Sequence, residues 1–336
     1  MANLAISTLG GRPMRDDGLL SPGMQAETHQ RPDLAEPGAL ARRRDRAMRR
    51  GFLGGADFLW RLVAERIAER VADTTRTFAD VAIHGTGAGS VAAALDPDTG
   101  TGRLLQIEPS ADMAAAARDA HPEAETTVHD TEVLPLAEDE VDLALSVLML
   151  HWASDPVGQL VQLRRALRPD GLMIAALFGG QSLHELRTAL AQAESEVTGG
   201  LSPRVAPMAE LRDLGALIQR AGLAMPVADS ERLTISYDTP LHLMRELRAM
   251  GETNILAERH RVPLRRSVLM RAVEIYTEMH ADRDGRIPAT VEIVFLTGWA
   301  PARGQPEPLR PGSARTRLAD ALGTTERPAG EKPPRL

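Results

Sequence analysis

Apolar residues recur at helical spacing first between Phe58 and Val71, where Phe58, Leu59, Leu62, Val63, Ile67 and Val71 fall on one face. From Thr77 the pattern shortens. Apolar runs at 79–83, 102–107, 125–128, 141–148 and 171–178 predict strands, and helices are expected to begin near Ala88, Ser110, Asp155 and Met208. Strands separated by helices pair in parallel through right-handed crossovers, so the fold class is α/β, with a doubly wound, mostly parallel sheet of Rossmann-like build. After Met225 the order changes. "DSERLTISYD" and "PATVEIVFLTGWAP" predict two further strands, making seven, with a helical pattern over 240–282 between them. An insertion there caps the C-terminal edge of the sheet, where ligands bind in this architecture.

The ends differ from the middle. Residues 1–39 and 302–336 are rich in glycine, proline and charge without a period, and both are expected to be disordered tails. Residues 40–74 form a basic helical segment and 75–301 the main domain, with the cap at about 239–283. Over 42–50 the chain carries Arg42, Arg43, Arg44, Arg46, Arg49 and Arg50 against Asp45. Such a run is expected to be a solvated helix face; its alternative is a docking patch for an acidic partner or a peripheral membrane contact.

Charge and composition narrow the chemistry. A net charge of −7 on 336 residues argues against nucleic acid held by the field of the whole molecule. With no cysteine there is no disulfide, thiolate metal site or cysteine nucleophile. No apolar run reaches the roughly 20 residues that span a bilayer. The first residues lack the pattern of a secretory leader, and Asp16, Asp17 and Glu27 are unlike an acid-poor transit peptide, so a cytoplasmic location is expected.

The candidate chemistry begins at "DVAIHGTGAGS", where Gly85, Gly87 and Gly89 follow the first strand. Glycines there permit a tight turn and a close backbone approach to a ligand, and the helix start beyond favours anionic groups. It is not a P-loop, because no Gly-Lys-Ser/Thr follows. Glu108 ends the second strand, where an acid accepts from both ribose hydroxyls. Asp130, followed by Thr131, comes after the third strand, where a carboxylate accepts from an adenine amine. Singly, such acids are commonly surface or capping residues. In this order they point to S-adenosylmethionine rather than to a pyrophosphate cofactor.

The block "FADVAIHGTGAGS … LLQIEPS … VHDTEVLPLAEDEVDLALSVLMLHW … LRPDGLMIAALFGGQSLHELR" resembles the class I S-adenosylmethionine-dependent methyltransferases, in the branch related to the malonyl-carrier-protein methyltransferase of biotin synthesis. With "LRDLGALIQRAGL", "MRELRAMGETN" and "DGRIPATVEIVFLTGW" it is more closely similar to the complex I assembly factor 5 family and its bacterial relatives, over residues 41–301. The resemblance implies adenosyl binding by Gly85, Gly87, Gly89, Glu108 and Asp130, and work on a respiratory complex I subunit or on a small carboxylic acceptor. Ile83 departs from the pattern, because such loops usually carry a carboxylate two residues before the first glycine. Losing a charge-assisted hydrogen bond worth about 1.5–3 kcal/mol weakens binding by about one to two powers of ten; an Ile83→Asp variant that tightens binding would mark a weakened native site, and one that changes nothing would favour a scaffold.

Methyl transfer needs alignment and desolvation more than a base, so catalytic residues are hard to name. His151 and Trp152 in "LMLHWASD" are the candidates at the cleft mouth, with packing of the next helix as their alternative role. Phe178, Gly179 and Gly180 are expected to line an acceptor pocket, and His184 and Glu185 to lie on an exposed helix. The resembled family is also linked with arginine hydroxylation, and iron-dependent hydroxylation would need two histidines and a carboxylate to converge. The tripeptides His121-Pro122-Glu123 and His280-Ala281-Asp282 are poor candidates, and no protein-ligated metal is expected. A non-catalytic assembly scaffold is the remaining alternative.

Overall fold

The computed structural model describes residues 33–129, 132–302 and 317–325. Two N-terminal helices, α1 (Ala39–Arg49) and α2 (Phe58–Ala72), precede the sheet. Then β1 (Asp80–His84), α3 (Ser90–Ala94), β2 (Arg103–Glu108), α4 (Ala111–Ala120), β3 (Glu125–Val128), β4 (Val141–Val147), α5 (Pro156–Ala166) and β5 (Leu167–Phe178) follow in turn. The chain continues through α6 (His184–Thr198), α7 (Leu211–Arg220), β6 (Ala224–Tyr237), α8 (Pro240–Ala249), α9 (Arg266–His280), β7 (Ile287–Trp299) and α10 (Leu318–Ala321).

One seven-stranded sheet results, in the order β3-β2-β1-β4-β5-β7-β6. The first five strands pair in parallel and β7 runs antiparallel to both β5 and β6. The strand order reverses between β1 and β4, and a cleft opens beyond the C-terminal ends of strands at such a reversal. Period-two alternation assigns the faces. In β1, Val81 and Ile83 join Trp60, Val63 and Ile67 of α2 on one side, while Ala82 joins Leu160 and Leu163 of α5 and Ile218 of α7 on the other. A third cluster lies under the segment between β6 and β7, where Leu243 of α8 and Val268, Ile275 and Tyr276 of α9 meet Leu186 and Ala189 of α6. Among the described residues, no helix is long and apolar enough to cross a membrane.

Three local readings change. The chain is structured from Asp33, ahead of the expected end of the first tail: the Leu34 amide donates to Ser154 Oγ at 2.9 Å and the Glu36 amide to the Ile255 carbonyl at 2.8 Å. Glu185 is buried rather than exposed, because its carboxylate accepts from the Thr290 amide at 3.1 Å and from Thr290 Oγ1 at 2.5 Å, tying α6 to β7. The arginine run is also not a uniform solvated face. Arg44 lies on the apolar stripe of α1 with Ala47 and is fully buried.

Candidate functional site

The glycine loop sits between β1 and α3. Gly85 has φ +88°, and a Cβ there would stand 2.2 Å from the Val147 carbonyl oxygen. A Cβ on Gly87 would stand 2.6 Å from the Trp60 ring. The loop is therefore packed from both sides, by the end of β4 and by α2. Glycine is required there by close approach as well as by backbone angle.

Glu108, at the end of β2, is fully buried beside this loop. Its Oε2 accepts from the Thr86 amide at 2.9 Å and from Thr86 Oγ1 at 3.0 Å. Its Oε1 faces Arg44 Nη1 at 3.2 Å and the Ser110 amide at 3.4 Å. A carboxylate offers about four acceptor positions, and here each has a donor. Arg44 reaches further: it donates to the Leu148 carbonyl at 3.0 Å, lies 3.5 Å from Glu252 Oε1 and stacks 4.9 Å from the Trp60 ring centroid. Asp45, its neighbour, fixes α1 over the start of α4 by accepting from Ser110 Oγ at 2.6 Å and from the Asp112 amide at 3.2 Å.

Beside this pair lies a cavity of about 420 Å³. His84, Pro109, His129, Met149 and Gln159 line it, together with residues 35–38 ahead of α1. Gln159 Oε1 and His84 Nδ1 are buried and have no hydrogen-bond partner among the described residues. Unpartnered buried polar atoms on a cavity wall mark places where a ligand supplies the missing bond. Those atoms and the nearby acid fit a nucleoside, provided Arg44 releases Glu108. Asp130 and Thr131 lie outside the described residues; His129 and Glu132 beside them line the cavity.

Ile83 does not face this cleft. It is fully buried in the cluster with Trp60, Leu143 and Leu145, so a carboxylate at position 83 would enter the core rather than meet a ligand. The neighbouring His84 lines the cleft instead. Burial, with Arg44 and His129 as cationic neighbours, pushes its imidazole from the ordinary 6.5 down to about 3. The unfolded chain therefore takes up this proton first: His84's contribution to stability is complete above about pH 6.5 and is lost as pH falls toward about 3, at ~1.4 kcal/mol per unit. In His84→Leu, urea unfolding should show about 1 kcal/mol less loss between about pH 5.5 and pH 4.5 than in the parent. Equal losses in the two proteins would contradict the assignment.

A second cavity, of about 540 Å³, is lined by α6, α8 and residues 250–264 that follow α8. Phe178 and Leu186 lie on one side of it, and Leu243 and Met244 on the cap side. Trp152 belongs to both cavities. Its indole donates to Glu252 Oε2 at 3.1 Å, and His151 Nε2 lies 3.7 Å from the same oxygen. The His151 ring meets Phe178 edge-on at 4.7 Å and is tilted on Trp152 at 5.2 Å. Burial lowers the His151 pKa, only partly opposed by Glu252, so the ring is neutral near pH 7. Burial also opposes the charge on Glu252, but His151, Arg44 and Trp152 outweigh it and hold the carboxyl below its usual range.

The structure thus brings Glu108 to the glycine loop through Thr86 and places Trp152 on both cavities, while His151 packs behind Trp152 and neither it, Glu108 nor the loop glycines line either cavity. Gly179 and Gly180 are not on the acceptor-side wall; they pack against the Glu292 and Glu210 carboxylates, and only Phe178 of that trio lines the cavity. Sequence reasoning missed Arg44 and Glu252. Arg44 had a signal in its position on the stripe Leu40, Arg44, Ala47 at helical spacing; Glu252 lay within the quoted "MGETN" without one. Among the described residues, no three histidine, aspartate or glutamate side chains converge to hold a metal ion.

Comparisons agree with this geometry. A family profile described as a methyltransferase domain matches residues 83–175, from β1 into β5. The chain is 36% identical over 264 residues to the mitochondrial arginine-hydroxylase NDUFAF5 of Danio rerio, covering 79% of this chain and 82% of that one. It is 30% identical to the malonyl-[acyl-carrier protein] O-methyltransferase of a Methylovorus strain, covering 86% of this chain and 98% of that one. A Bacillus halodurans crystal structure assigned as a methyltransferase superposes with a TM-score of 0.50 at 14% identity, covering 71% of this chain and 99% of that one, which shows the shared fold. S-adenosylmethionine is the cofactor of the class I methyltransferase domain that these matches describe. With that domain, this strand order and 36% identity across most of both chains, the protein belongs to the NDUFAF5 family of methyltransferase-fold proteins.

Proposed function

We propose that this protein transfers a methyl group from S-adenosylmethionine to an acceptor held in the larger cavity beside α8, and that it does so in the assembly of respiratory complex I. The observation that carries the reading is the shared wall. Trp152 lines both the nucleoside-sized cleft and the larger cavity, so the two ligands would meet at one side chain. Glu108, once released by Arg44, would hold the ribose hydroxyls, and Gln159 and His84 would meet polar edges of the base. Asp130 and Thr131 are assigned to the adenine side on sequence grounds. When bound, the cofactor supplies an electrophilic methyl group on a sulfonium.

The chain's own part is positioning. Glu252 fixes the Trp152 ring through the indole N–H, and Phe178 and Trp152 enclose His151. An apolar, water-poor junction favours displacement at a sulfonium, whose charge is lost in the transition state. His151 is the candidate to orient an acceptor or accept its proton, since the neutral ring has a free lone pair.

Arginine hydroxylation is the second reading, favoured by the name borne by the Danio rerio relative. Five arginines on the cavity wall, Arg43, Arg204, Arg248, Arg259 and Arg261, count against a cationic acceptor there. Mass spectrometry of complex I subunits from cells lacking the protein separates the readings. Loss of a methyl mark on a subunit is expected. Loss of a single oxygen would replace the reading with hydroxylation, no change would favour a scaffold, and a biotin requirement would favour the malonyl acceptor.

A further inference from the structure

The side chains that line the larger cavity sort by exposure. Phe178, Leu186, Leu243 and Val291 are apolar and buried within it, whereas the exposed members of the lining mark its mouth. That mouth is cationic. Arg248 in the last turn of α8 is exposed, Arg261 has 71% of its side chain in water, and Arg43 of α1 and Arg259 join them on the same wall. Among the described residues the acid that pairs with these is Glu36, which holds Arg259 and Arg261 and also Arg42. Glu252, the acid of the lining itself, is taken by Arg44, Trp152 and His151. The mouth therefore keeps a surplus of positive charge on a chain whose net charge is −7. Burial, followed by repulsion from Arg46, Arg259 and Arg42, lowers the Arg43 pKa, and attraction by Glu36 offsets only part of this.

An anionic partner relieves such repulsion, and clustered guanidinium groups recognise carboxylates through forked hydrogen bonds. A cavity of 540 Å³ takes in a side chain, not a folded subunit. When the acceptor is carried by a polypeptide, the residues on either side of it must cross the mouth, where they meet these arginines and the exposed Val262 and Pro263. We infer that the mouth docks an acidic polypeptide segment of the acceptor protein, whose Asp and Glu side chains flank the modified residue and engage Arg43, Arg248, Arg259 and Arg261. This rests on the reading of the cavity as the acceptor side and adds the class of sequence that reaches it. A membrane surface fits less well. Val262 is the one large apolar side chain exposed on this wall, and an interfacial segment needs a broad apolar face besides its cations.

The test is fluorescence anisotropy with two labelled dodecapeptides, one alternating Glu and Ser and the other with Gln at every Glu, titrated with the full chain. The acidic peptide is expected to bind at least about tenfold more tightly than the neutral one. Most of that preference is expected to vanish between about 50 mM and about 500 mM salt. Arg248→Glu with Arg261→Glu, both at exposed positions, is expected to abolish the preference. Arg212→Glu with Arg220→Glu on α7 makes the same change in net charge away from the cavity and is expected to keep it, with thermal unfolding confirming that every chain is folded. Equal binding of the two peptides to the parent would overturn the inference, as would a preference that survives the mouth variant or is lost equally in the α7 variant. Binding to phosphatidylglycerol vesicles that the mouth variant loses, without any preference between the peptides, would assign the mouth to a membrane surface instead. Calorimetry with S-adenosylhomocysteine on the same preparation keeps the two readings apart. Its binding without a peptide preference sinks this inference and leaves the transferase reading standing, whereas a peptide preference without its binding supports the docking surface and sinks the transferase reading.

Discussion

Replacing Arg44 by methionine lowers the unfolding free energy by about 3–5 kcal/mol at neutral pH in urea titrations. The size follows from what is left behind. Glu108 has no exposed side-chain surface and Glu252 only 6%, and both have Arg44 as their guanidinium partner. Removing the guanidinium leaves two buried carboxylates facing each other's field, and the lost stacking on Trp60 adds to the effect. Changing Glu108→Gln in the same chain removes one of these charges, so the double variant should recover part of the loss. A single-variant loss below about 1 kcal/mol would mean that Arg44 is held no better than an exposed surface pair.

Changing Ile83→Asp costs at least about 4 kcal/mol at neutral pH and does not tighten adenosyl binding. Position 83 is enclosed by α2 and β4 in the apolar cluster, so the new carboxyl would be desolvated and its pKa raised by about 3–5 units. Each unit raised is ~1.4 kcal/mol of penalty on the ionised form. The sign sets the pH dependence: the cost falls as pH drops below the raised pKa, where the neutral acid enters the core. Denaturant unfolding at neutral and acidic pH reads it. An Ile83→Asp variant as stable as its parent would place the side chain in water or against a cation, contrary to the packing seen here.

The sheet was legible because its strands are short apolar runs bounded by turn residues, and the period in β1 assigns Val81 and Ile83 to one face without a structure. The mostly parallel pairing followed from the alternation of strands and helices, but the strand order, with its reversal between β1 and β4, did not. Glu108 was legible from its place at a strand end. Arg44 carried only the weak signal of its place on the α1 stripe, because arginine is ordinarily a surface residue and its burial depends on Glu108, 64 positions away, and on Glu252, 208 positions away. Ile83 was misread for a related reason. Sequence order places it beside the glycine loop, but strand alternation turns it to the α2 face and leaves His84 on the cleft. Glu185 was hidden likewise, since its partner Thr290 comes 105 residues later.

These findings give Glu108 two competing uses. In the structure its four acceptor positions serve Thr86, Ser110 and Arg44; in the proposed complex the ribose hydroxyls take the place of Arg44. In that complex Arg44 would have to leave Glu108, and Arg44 shares α1 with Arg43, which lines the second cavity.

The most direct measurement is a calorimetric titration of S-adenosylhomocysteine into the parent chain and into Glu108→Gln, with thermal unfolding confirming that both are folded. Binding to the parent is expected, with a loss of at least about tenfold in the variant, equivalent to ~1.4 kcal/mol. No heat from the parent at about 1 mM ligand, or an affinity unchanged by the loss of the Glu108 charge, would contradict it.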